Sequence, residues 1–446
     1  MSGSAELKTE ADGEERDWPP PISDYALLSN CRGSALVSRN GSIDWTCLPQ
    51  FDAPAIFSRL LDPNAGHWQI EPASTYEVER RYVPDTMVLE TEFQLSGATV
   101  RLTDALVLSP EPGSDEIGSD SPPTIVRVVE CLEGHAPMRC VIAPRPEYGM
   151  TEPYLVPVDG GVVSMGGPVL LSITWPFGSE SPSPTKSRRF RLEQGQKMAF
   201  ALTEGLPWDD PPPILSEDEI LASLAATRRL WEKWSENHPT RYAGPYGEHV
   251  KRSALILQAL EYAKTKAIVA APTTSLPEAP GGARNWDYRF SWVRDASMAT
   301  SALAEAAHHF KAKGFFMFFV TAAAGNVGHG GGLQILYGID GRRHLPESTL
   351  DHLVGYDGAS PVRVGNGAWN QSQLDSFGHL LQAAWTLQQG EITFPEPVRR
   401  FLRDLADCAA RRWGERDSGI WEQRAGLQHT LFSKLMCWVA LDRAIR

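Results

Sequence analysis

Where strand-like sequence gives way to helix-like sequence, the chain reads Arg284-Asn285-Trp286-Asp287-Tyr288-Arg289-Phe290-Ser291-Trp292-Val293-Arg294-Asp295. Aromatic and polar residues alternate through Trp292, so an extended backbone would place the rings on one face and the polar groups on the other. Rings beside Asp, Arg and Asn suit a sugar, which has apolar C–H faces and a girdle of hydroxyls. The alternative is a half-buried strand whose aromatics are core and whose charges pair with one another. Taken by itself, the run favours this alternative.

The bulk composition describes an ordinary globular protein, and the length predicts two domains. A chain of 446 residues exceeds what one hydrophobic core usually serves. The hydrophobic fraction is 42% and the charged fraction is 22%. The formal net charge of -13 disfavours nucleic acid and anionic lipid as partners. A neutral substrate is compatible with this charge.

The sequence predicts a cytoplasmic protein without a membrane span. Residues 1–18 lack the apolar core of a secretory signal. The longest apolar run, Phe315 to Ala324, is too short to cross a bilayer. The six cysteines are scattered without a CxxC pair, which favours reduced thiols over a disulfide or zinc scaffold. Because HExxH and phosphate-loop motifs are absent, we predict no metal and no cofactor.

Changes of texture along the chain predict four segments. Residues 1–18 are polar and acidic, which predicts a disordered tail. Residues 19–206 contain short apolar runs broken by turn signals, which predict an antiparallel β-sandwich domain. Residues 207–240 are a Pro/Asp-rich linker followed by a linker helix, with Ser216 as its N-cap. Residues 241–446 show helical patterns joined by long polar loops, which predict a helical domain with a loop-built site.

A second informative segment, Gly419 to Arg424, lies between two helical patterns. A carboxylate beside an aromatic ring is one way for a protein to raise a carboxyl pKa and keep the acid protonated near neutrality. Glu422 directly follows Trp421 and is therefore a candidate general acid. The alternative is an ordinary loop glutamate, solvated or paired with Arg424. The segment by itself favours that alternative.

The loop from Leu336 to Trp369 is dense in hydrogen-bonding side chains. They are Tyr337, Asp340, Arg342, Arg343, His344, Glu347, Arg363 and Asn366. Such a set suits a polyhydroxylated ligand, and it suits equally a loop that is tied down by its own polar network.

Together these segments resemble glycoside hydrolase family 15, in particular the glucoamylase-like and trehalase-like proteins with an N-terminal β-domain. In the N-terminal half the resemblance lies in residues 22–28, 31–32, 35–39, 41–45, 47–49, 51–52 and 54–55. In the C-terminal half it lies in residues 284–295, 337–341, 419–424, 433–434 and 438–444. Similarity thus extends over nearly the whole chain from Ile22 onward.

The resemblance implies an α+β multidomain fold, with an N-terminal β-super-sandwich followed by an (α/α)6 barrel whose loops form a sugar pocket. It also implies inverting glycoside hydrolysis, in which one carboxylic acid protonates the leaving oxygen and a second carboxylate activates water. Glu422 matches the general acid. The residues implied at the substrate are Arg294 and Asp295 on the hydroxyls of the non-reducing glucose, Trp292 and Trp421 on the pocket wall, Gln423 at the next sugar, and Trp286, Asp287 and Asn366 nearby.

One departure from the family concerns the second carboxylate. The general base of the family lies well downstream of the acid, whereas only 24 residues (446 − 422) follow Glu422 here. The helical patterns number about half of those that the barrel requires. We therefore expect a C-terminally truncated barrel without a general base, in which Leu435, Trp438 and Leu441 are partly exposed.

The expected substrate is a small neutral sugar with an α-linked, non-reducing glucose. The resemblance places trehalose first and malto-oligosaccharides, the glucoamylase-type substrates, next. The alternative is a catalytically impaired sugar-binding or structural fragment that keeps Arg294 and Asp295 but lacks the base. No oligomeric state follows from the sequence.

Overall fold

The computed structural model describes residues 6–7, 18–110, 116–178, 182, 187–240, 242–306, 309–328 and 332–446. Most of the predicted disordered tail, residues 1–18, lies outside these ranges. The chain forms two compact units. Unit 1 comprises Met1–Asn237, Ser275–Asn285 and Leu350–Val362, and unit 2 comprises His238–Thr274, Trp286–Thr349 and Arg363–Arg446.

Unit 1 is built on two antiparallel sheets. Their strands are Glu6–Leu7 (β1), Ala26–Ser29 (β2), Ser34–Val37 (β3), Ser42–Cys47 (β4), Ala55–Phe57 (β5), His67–Pro72 (β6), Tyr76–Tyr82 (β7), Leu89–Leu95 (β8), Ala98–Leu106 (β9), Thr124–Glu133 (β10), His135–Ala143 (β11), Tyr154–Val158 (β12), Gly161–Met165 (β13), Leu170–Thr174 (β14), Arg188–Glu193 (β15) and Lys197–Gly205 (β16). One sheet has the order β1-β7-β8-β9-β10-β16-β14-β13-β12. The other has the order β15-β11-β6-β4-β3-β2, with β5 also paired to β4.

One apolar core is shared by the two sheets. It contains fully buried side chains from both, among them Trp68, Ile70 and Ile142 from one sheet and Phe93, Val100 and Ile125 from the other. Along β9 and β8 buried and less buried residues alternate, as expected for strands with one face on the core. The predicted β-rich N-terminal part is confirmed.

The helix Glu217–Asn237 (α1) covers the second face of the larger sheet. Ile220 is buried there against apolar side chains of that sheet. Ser216 Oγ accepts from the Glu219 N–H at 3.4 Å, and the Glu219 carboxylate accepts from the Ser216 N–H at 2.8 Å. This reciprocal capping box confirms the predicted N-cap. Because α1 packs on the sheet, unit 1 extends past residue 206, where the predicted β-sandwich domain ends.

Unit 2 is mainly helical. Its helices are Gly247–Ala259 (α2), Val293–Ala306 (α3), His309–Gly328 (α4), Asp375–Gln389 (α5), Glu396–Arg412 (α6) and Leu431–Ile445 (α7). Helix α3 packs against α4 and α5, α5 packs against α7, and α6 packs against α4 and α7. None of the described helices has both the length and the apolar character needed to cross a membrane. The predicted order, a β-rich part followed by a helical part, is confirmed.

Short strands line the loops of the later chain. They are Glu261–Tyr262 (β17), Ala267–Ile268 (β18), Thr274–Pro277 (β19), Asn285–Asp287 (β20), Ser291–Trp292 (β21), Leu336–Tyr337 (β22), Ser348–Thr349 (β23) and Arg363–Val364 (β24). The segment from Arg284 to Asp295 is therefore not one strand. It breaks between β20 and β21, where the carbonyls of Tyr288 and Phe290 accept from the N–H groups of Ala271 and Ala270.

The polar face of this segment is as deeply buried as the aromatic face. Asp287 and Arg289 are 0% and 2% exposed, and Trp292 is 1% exposed. The Arg289 guanidinium lies 2.7 Å from the Asp287 carboxylate. The charge pairing expected of a buried strand is thus present, while the strand itself is split.

Helix α7 carries an apolar stripe on its open side, here called the α7 stripe and formed by Leu431, Leu435, Trp438 and Ile445. Leu435 and Trp438 are 49% and 60% exposed, as predicted. Leu441, predicted to be partly exposed as well, is half-buried.

Candidate active site

The loop between α6 and α7 turns sharply at Glu422. Gly419 and Glu422 both have positive φ angles, of 66° and 54°. Glycine adopts this region freely, whereas a glutamate stays there only when its surroundings hold it. The Glu422 N–H donates to the Gly419 carbonyl at 3.0 Å, and the Gln423 N–H donates to the Ser418 carbonyl at 3.1 Å. These bonds fix the turn that presents the Glu422 side chain.

The Glu422 carboxyl group meets residues at the start of α3. Its Oε1 accepts a hydrogen bond from Trp292 Nε1 at 2.7 Å and lies 3.6 Å from an Arg294 guanidinium nitrogen. Within the described residues no hydrogen bond reaches Oε2. Burial raises the pKa of Glu422; the Arg294 charge and the Trp292 hydrogen bond oppose this rise, and the Asp295 carboxylate adds to it. One oxygen is therefore fixed by the protein, and the other is available to carry a proton.

Arg294 and Asp295 lie side by side in the first turn of α3. Their side chains form an ion pair of 3.0 Å and are 20% and 36% exposed. Arg294 also donates to the Ile420 carbonyl at 3.0 Å, which links α3 to the Glu422 loop. Asp295 sits favourably at the positive end of the helix dipole. Both side chains are anchored and still reach solvent, as hydroxyl-binding groups must.

The aromatic ring that shields Glu422 is Trp292 and not its sequence neighbour Trp421. Trp292 is buried and precedes the acid by 130 residues, whereas the Trp421 side chain is 83% exposed. Gln423 is exposed as well. The structure thus brings Glu422, Trp292, Arg294 and Asp295 together and leaves Trp421 and Gln423 at the solvent-facing side of the loop.

Asp287 and Asn366 are buried in the loops around Glu422. The Asp287 carboxylate accepts from Arg289 at 2.7 and 2.9 Å and from the Gly365 N–H at 3.1 Å. Asn366 donates to the Asp287 carbonyl at 3.1 Å and accepts from the Ala368 N–H at 2.9 Å. Both side chains are almost fully buried. Their polar groups are used to hold the loops that surround Glu422.

Arg424, two residues after the acid, is bonded to a different glutamate. Its guanidinium donates to the two carboxylate oxygens of Glu347 at 2.9 and 2.6 Å and lies 3.9 Å from the centroid of the Trp286 ring. Arg363 lies 4.5 Å from the same ring centroid. In the sequence, Glu347 stands out only as one member of a polar loop. No local signal joins it to Arg424, because 77 residues separate the two.

In the described part of the chain, no group of three or more His, Cys, Asp or Glu side chains is arranged to hold a metal ion.

The two sequence halves each match a family known from other proteins. Residues 244–446 match the model of Glycosyl hydrolases family 15, and residues 13–179 match that of Trehalase-like, N-terminal. The chain belongs to glycosyl hydrolase family 15.

Its relatives include several proteins named trehalase. The chain is 35% identical to Trehalase of Mycolicibacterium smegmatis, over 95% of this chain and 65% of the relative. It is 32% identical to Trehalase of Thermoplasma acidophilum, over 92% of this chain and 68% of the relative. It is also 32% identical to Trehalase 1 of Sulfolobus acidocaldarius, over 94% of this chain and 69% of the relative. The chain thus spans about two thirds of the length of the curated relatives that it matches.

Proposed function

We propose that this chain is an inverting glycosidase that releases glucose from the non-reducing ends of α-linked glucosides. Trehalose is the preferred substrate in this proposal, and the malto-oligosaccharides of glucoamylase-type enzymes come next. The observation that carries the proposal is the Glu422 carboxyl group, whose pKa is raised mainly by burial and whose Oε1 alone is bonded to Trp292. The relatives named trehalase support the choice of trehalose.

In this mechanism Glu422 is the general acid. Because Oε1 accepts from Trp292, the proton resides on Oε2. That proton passes to the glycosidic oxygen as the bond from this oxygen to the anomeric carbon breaks. Water adds to the anomeric carbon from the opposite face and releases one proton to the solvent. A carboxyl group with a raised pKa is suited to this role, since it stays protonated closer to neutral pH.

The substrate would be held by the groups around the acid. Arg294 and Asp295 supply a charged donor and a charged acceptor for adjacent sugar hydroxyls, and their partial exposure fits this role. Trp421 is assigned to the C–H faces of the sugar and Gln423 to the next sugar. The Trp292 ring is only 1% exposed and cannot face the sugar, so it is assigned, with Trp286, Asp287 and Asn366, to the support of the pocket wall.

We assign no general base among the described residues. Asp287, Asp295 and Glu347 are each bonded to an arginine. Asp375 is fully buried at the start of α5, and His379 Nε2 lies 3.7 Å from its carboxylate. We expect the chain to bind α-glucosides through Arg294 and Asp295.

We further propose that the helices of unit 2 belong to an (α/α)6 barrel and that unit 1 is the β-super-sandwich of the same family. Membership of the family supports both assignments. A reducing, cytoplasmic location is proposed on the chemistry of the cysteines, since all six are free thiols and buried.

The variant Glu422→Gln tests the proposed acid. Glucose release from trehalose and maltose measures turnover, and isothermal titration with each sugar measures binding. We expect the wild-type chain to bind trehalose, and Glu422→Gln to keep this binding while losing on the order of 10²-fold or more in turnover. The matched control is Glu396→Gln, which removes the charge of an exposed glutamate on α6 and should change neither quantity. Unchanged turnover in Glu422→Gln would remove Glu422 from the acid role, and failure of the wild type to bind any α-glucoside would overturn the substrate class.

A further inference from the structure

The loop that carries Glu422 is closed at its base and is tied to two segments distant in sequence. At its base, Asp417 and Gln428 exchange backbone hydrogen bonds of 2.9 and 2.8 Å. The Asp417 carboxylate also accepts from the distant Leu374 N–H at 3.0 Å. Beyond the acid, the side chain of Arg424 reaches across to Glu347. Glu422, with its positive φ, lies between these two attachments.

The second attachment has the geometry of a specific contact. Arg424 presents two guanidinium nitrogens to the two oxygens of Glu347, at 2.9 and 2.6 Å, and the planar fork matches a carboxylate in this arrangement. Glu347 is itself held by the Gly367 N–H at 2.9 Å and by Arg363 at 3.4 Å. The Trp286 ring lies against the Arg424 guanidinium. Glu347 is therefore held by groups other than Arg424 as well.

We propose that Glu347 and Arg424 are positioning residues, whose ion pair holds the Glu422 loop in its left-handed turn and keeps the Glu422 carboxyl against Trp292 and Arg294. This inference deepens the proposed function and rests on it, because it gives a role to the pair only if Glu422 is the general acid. It also chooses between the two interpretations of the polar loop around Glu347. In this proposal the polar network of that loop, through the bond from Glu347 to Arg424, holds the loop that carries Glu422.

The pair would act on the acid through burial. The charged groups that face Glu422 are Arg294 and Asp295 from α3 and Arg424 on its own loop, with Glu347 and Arg363 behind Arg424. Burial is the largest cause of the raised pKa of Glu422. If the loop loosens, water reaches the carboxyl group and its pKa falls toward the ordinary value. If the pair served stability alone, breaking it would lower the melting temperature and leave the pKa of Glu422 unchanged.

The titration of Glu422 can be followed without any turnover. The indole N–H of Trp292 donates to Glu422 Oε1, so its ¹H–¹⁵N NMR resonance reports the protonation of the carboxyl group. Loss of one indole signal in Trp292→Phe assigns the resonance. The titration uses the full chain without substrate, and melting temperatures are measured in parallel.

The decisive variant is Arg424→Lys. Lysine keeps the positive charge but cannot form the two-pronged bond, so a shift of the midpoint reflects the position of the loop and not a change of charge. We expect the Glu422 midpoint to fall by about half a pH unit or more in this variant. Glu347→Gln should shift it in the same direction, since it removes both the bond and a negative charge. The matched control is Arg403→Lys, which alters the exposed ion pair with Glu396 on α6 and should leave the midpoint in place.

Two results would overturn the inference. One is an Arg424→Lys midpoint equal to that of the wild type, whatever happens to the melting temperature. The other is a Trp292 indole signal that does not titrate in the wild type, which would show that the acid is not held where the proposal needs it. Failure of the proposed function is a separate outcome, since it is read from trehalose binding and glucose release by the wild-type chain.

Discussion

At the residue scale, Trp292 acts on Glu422 in two opposite ways. Its ring helps to exclude water, and burial raises the pKa of the carboxyl group, whereas its indole N–H stabilises the carboxylate and lowers that pKa. Phenylalanine would keep an aromatic ring at the position and remove the donor. The two contributions can therefore be separated by a single substitution.

We expect Trp292→Phe to raise the pKa of Glu422 further. A hydrogen bond to a charged group contributes about 1.5–3 kcal/mol, which corresponds to about one pH unit or more. ¹³C NMR of the labelled Glu422 carboxyl group measures the midpoint directly. The control is Trp438→Phe on the α7 stripe, whose indole is 60% exposed and which should leave the midpoint unchanged. A midpoint that falls in Trp292→Phe would contradict the assigned hydrogen bond.

The family resemblance, and not the local residue pattern, singled out the main residues of the candidate site. These residues are Glu422, Arg294 and Asp295, and the structure places the three together. The sequence did not predict that Trp292 would donate to the acid, because such a contact joins positions 130 residues apart. The nearest aromatic neighbour in sequence, Trp421, is mostly exposed instead. Local sequence carries chemistry, whereas the pairing of distant side chains depends on the packing of the whole unit.

At the scale of elements, α5 and α7 lie close together at Gly378. A Cβ atom at this position would lie 2.3 Å from the backbone oxygen of Met436, which is too close for any side chain. The close approach of these two helices therefore requires glycine at this position of α5.

We expect Gly378→Ala to destabilise unit 2 by about 1–3 kcal/mol, the usual cost of overpacking a core. Urea denaturation followed by tryptophan fluorescence measures the change. Gly325→Ala on α4 is the matched control, because a Cβ atom there meets nothing within 4 Å and alanine favours a helix. Equal stability of the two alanine variants would show that α5 and α7 are not in close contact at this point.

Helical periodicity predicted the elements of unit 2 well, but not their ends. Within the helical part, the periodic apolar pattern of the sequence predicts helices over 293–312 and 315–324. The structure has α3 at Val293–Ala306 and α4 at His309–Gly328. Helix boundaries depend on capping and on tertiary contacts that a periodic pattern does not contain. The alternating segment around Trp286 failed as a single strand for a related reason. The Tyr288 and Phe290 carbonyls accept hydrogen bonds from the N–H groups of Ala271 and Ala270, and no local pattern predicts these contacts.

At the scale of the whole molecule, unit 1 is completed by residues from the later part of the chain. Residues 350–362 form hydrogen bonds with the early part of the chain. Among them are the Val354 N–H to Asp62 at 3.2 Å, His352 Nε2 to the Tyr148 carbonyl at 3.0 Å, and the Tyr356 hydroxyl to the Pro20 carbonyl at 3.0 Å. A boundary drawn on texture alone cannot detect such a return, since the returning segment is short and lies among helical patterns.

We expect a fragment of residues 18–240 to be less stable than unit 1 in the full chain. Three lost hydrogen bonds at about 0.5–1.5 kcal/mol each give a deficit of a few kcal/mol. Amide hydrogen exchange of strands β4 and β6 in increasing urea compares the two, because it reports on unit 1 alone in both chains. The full chain with Tyr356→Phe is the graded control and should lose about 1 kcal/mol, because one of the three bonds is removed. An unchanged midpoint in the fragment would show that residues 350–362 are dispensable for unit 1.

The six buried cysteines give this molecule built-in reporters of its own opening. Four of them, Cys31, Cys47, Cys131 and Cys140, lie in unit 1, and two, Cys408 and Cys437, lie in unit 2. Burial raises the pKa of Cys140 to about 12 and that of Cys437 to about 11, so these thiols are shielded and also held in their unreactive form. A thiol reagent can modify either set only after the surrounding unit has opened. The order in which peptides from the two sets become labelled would therefore show which of the two units opens first.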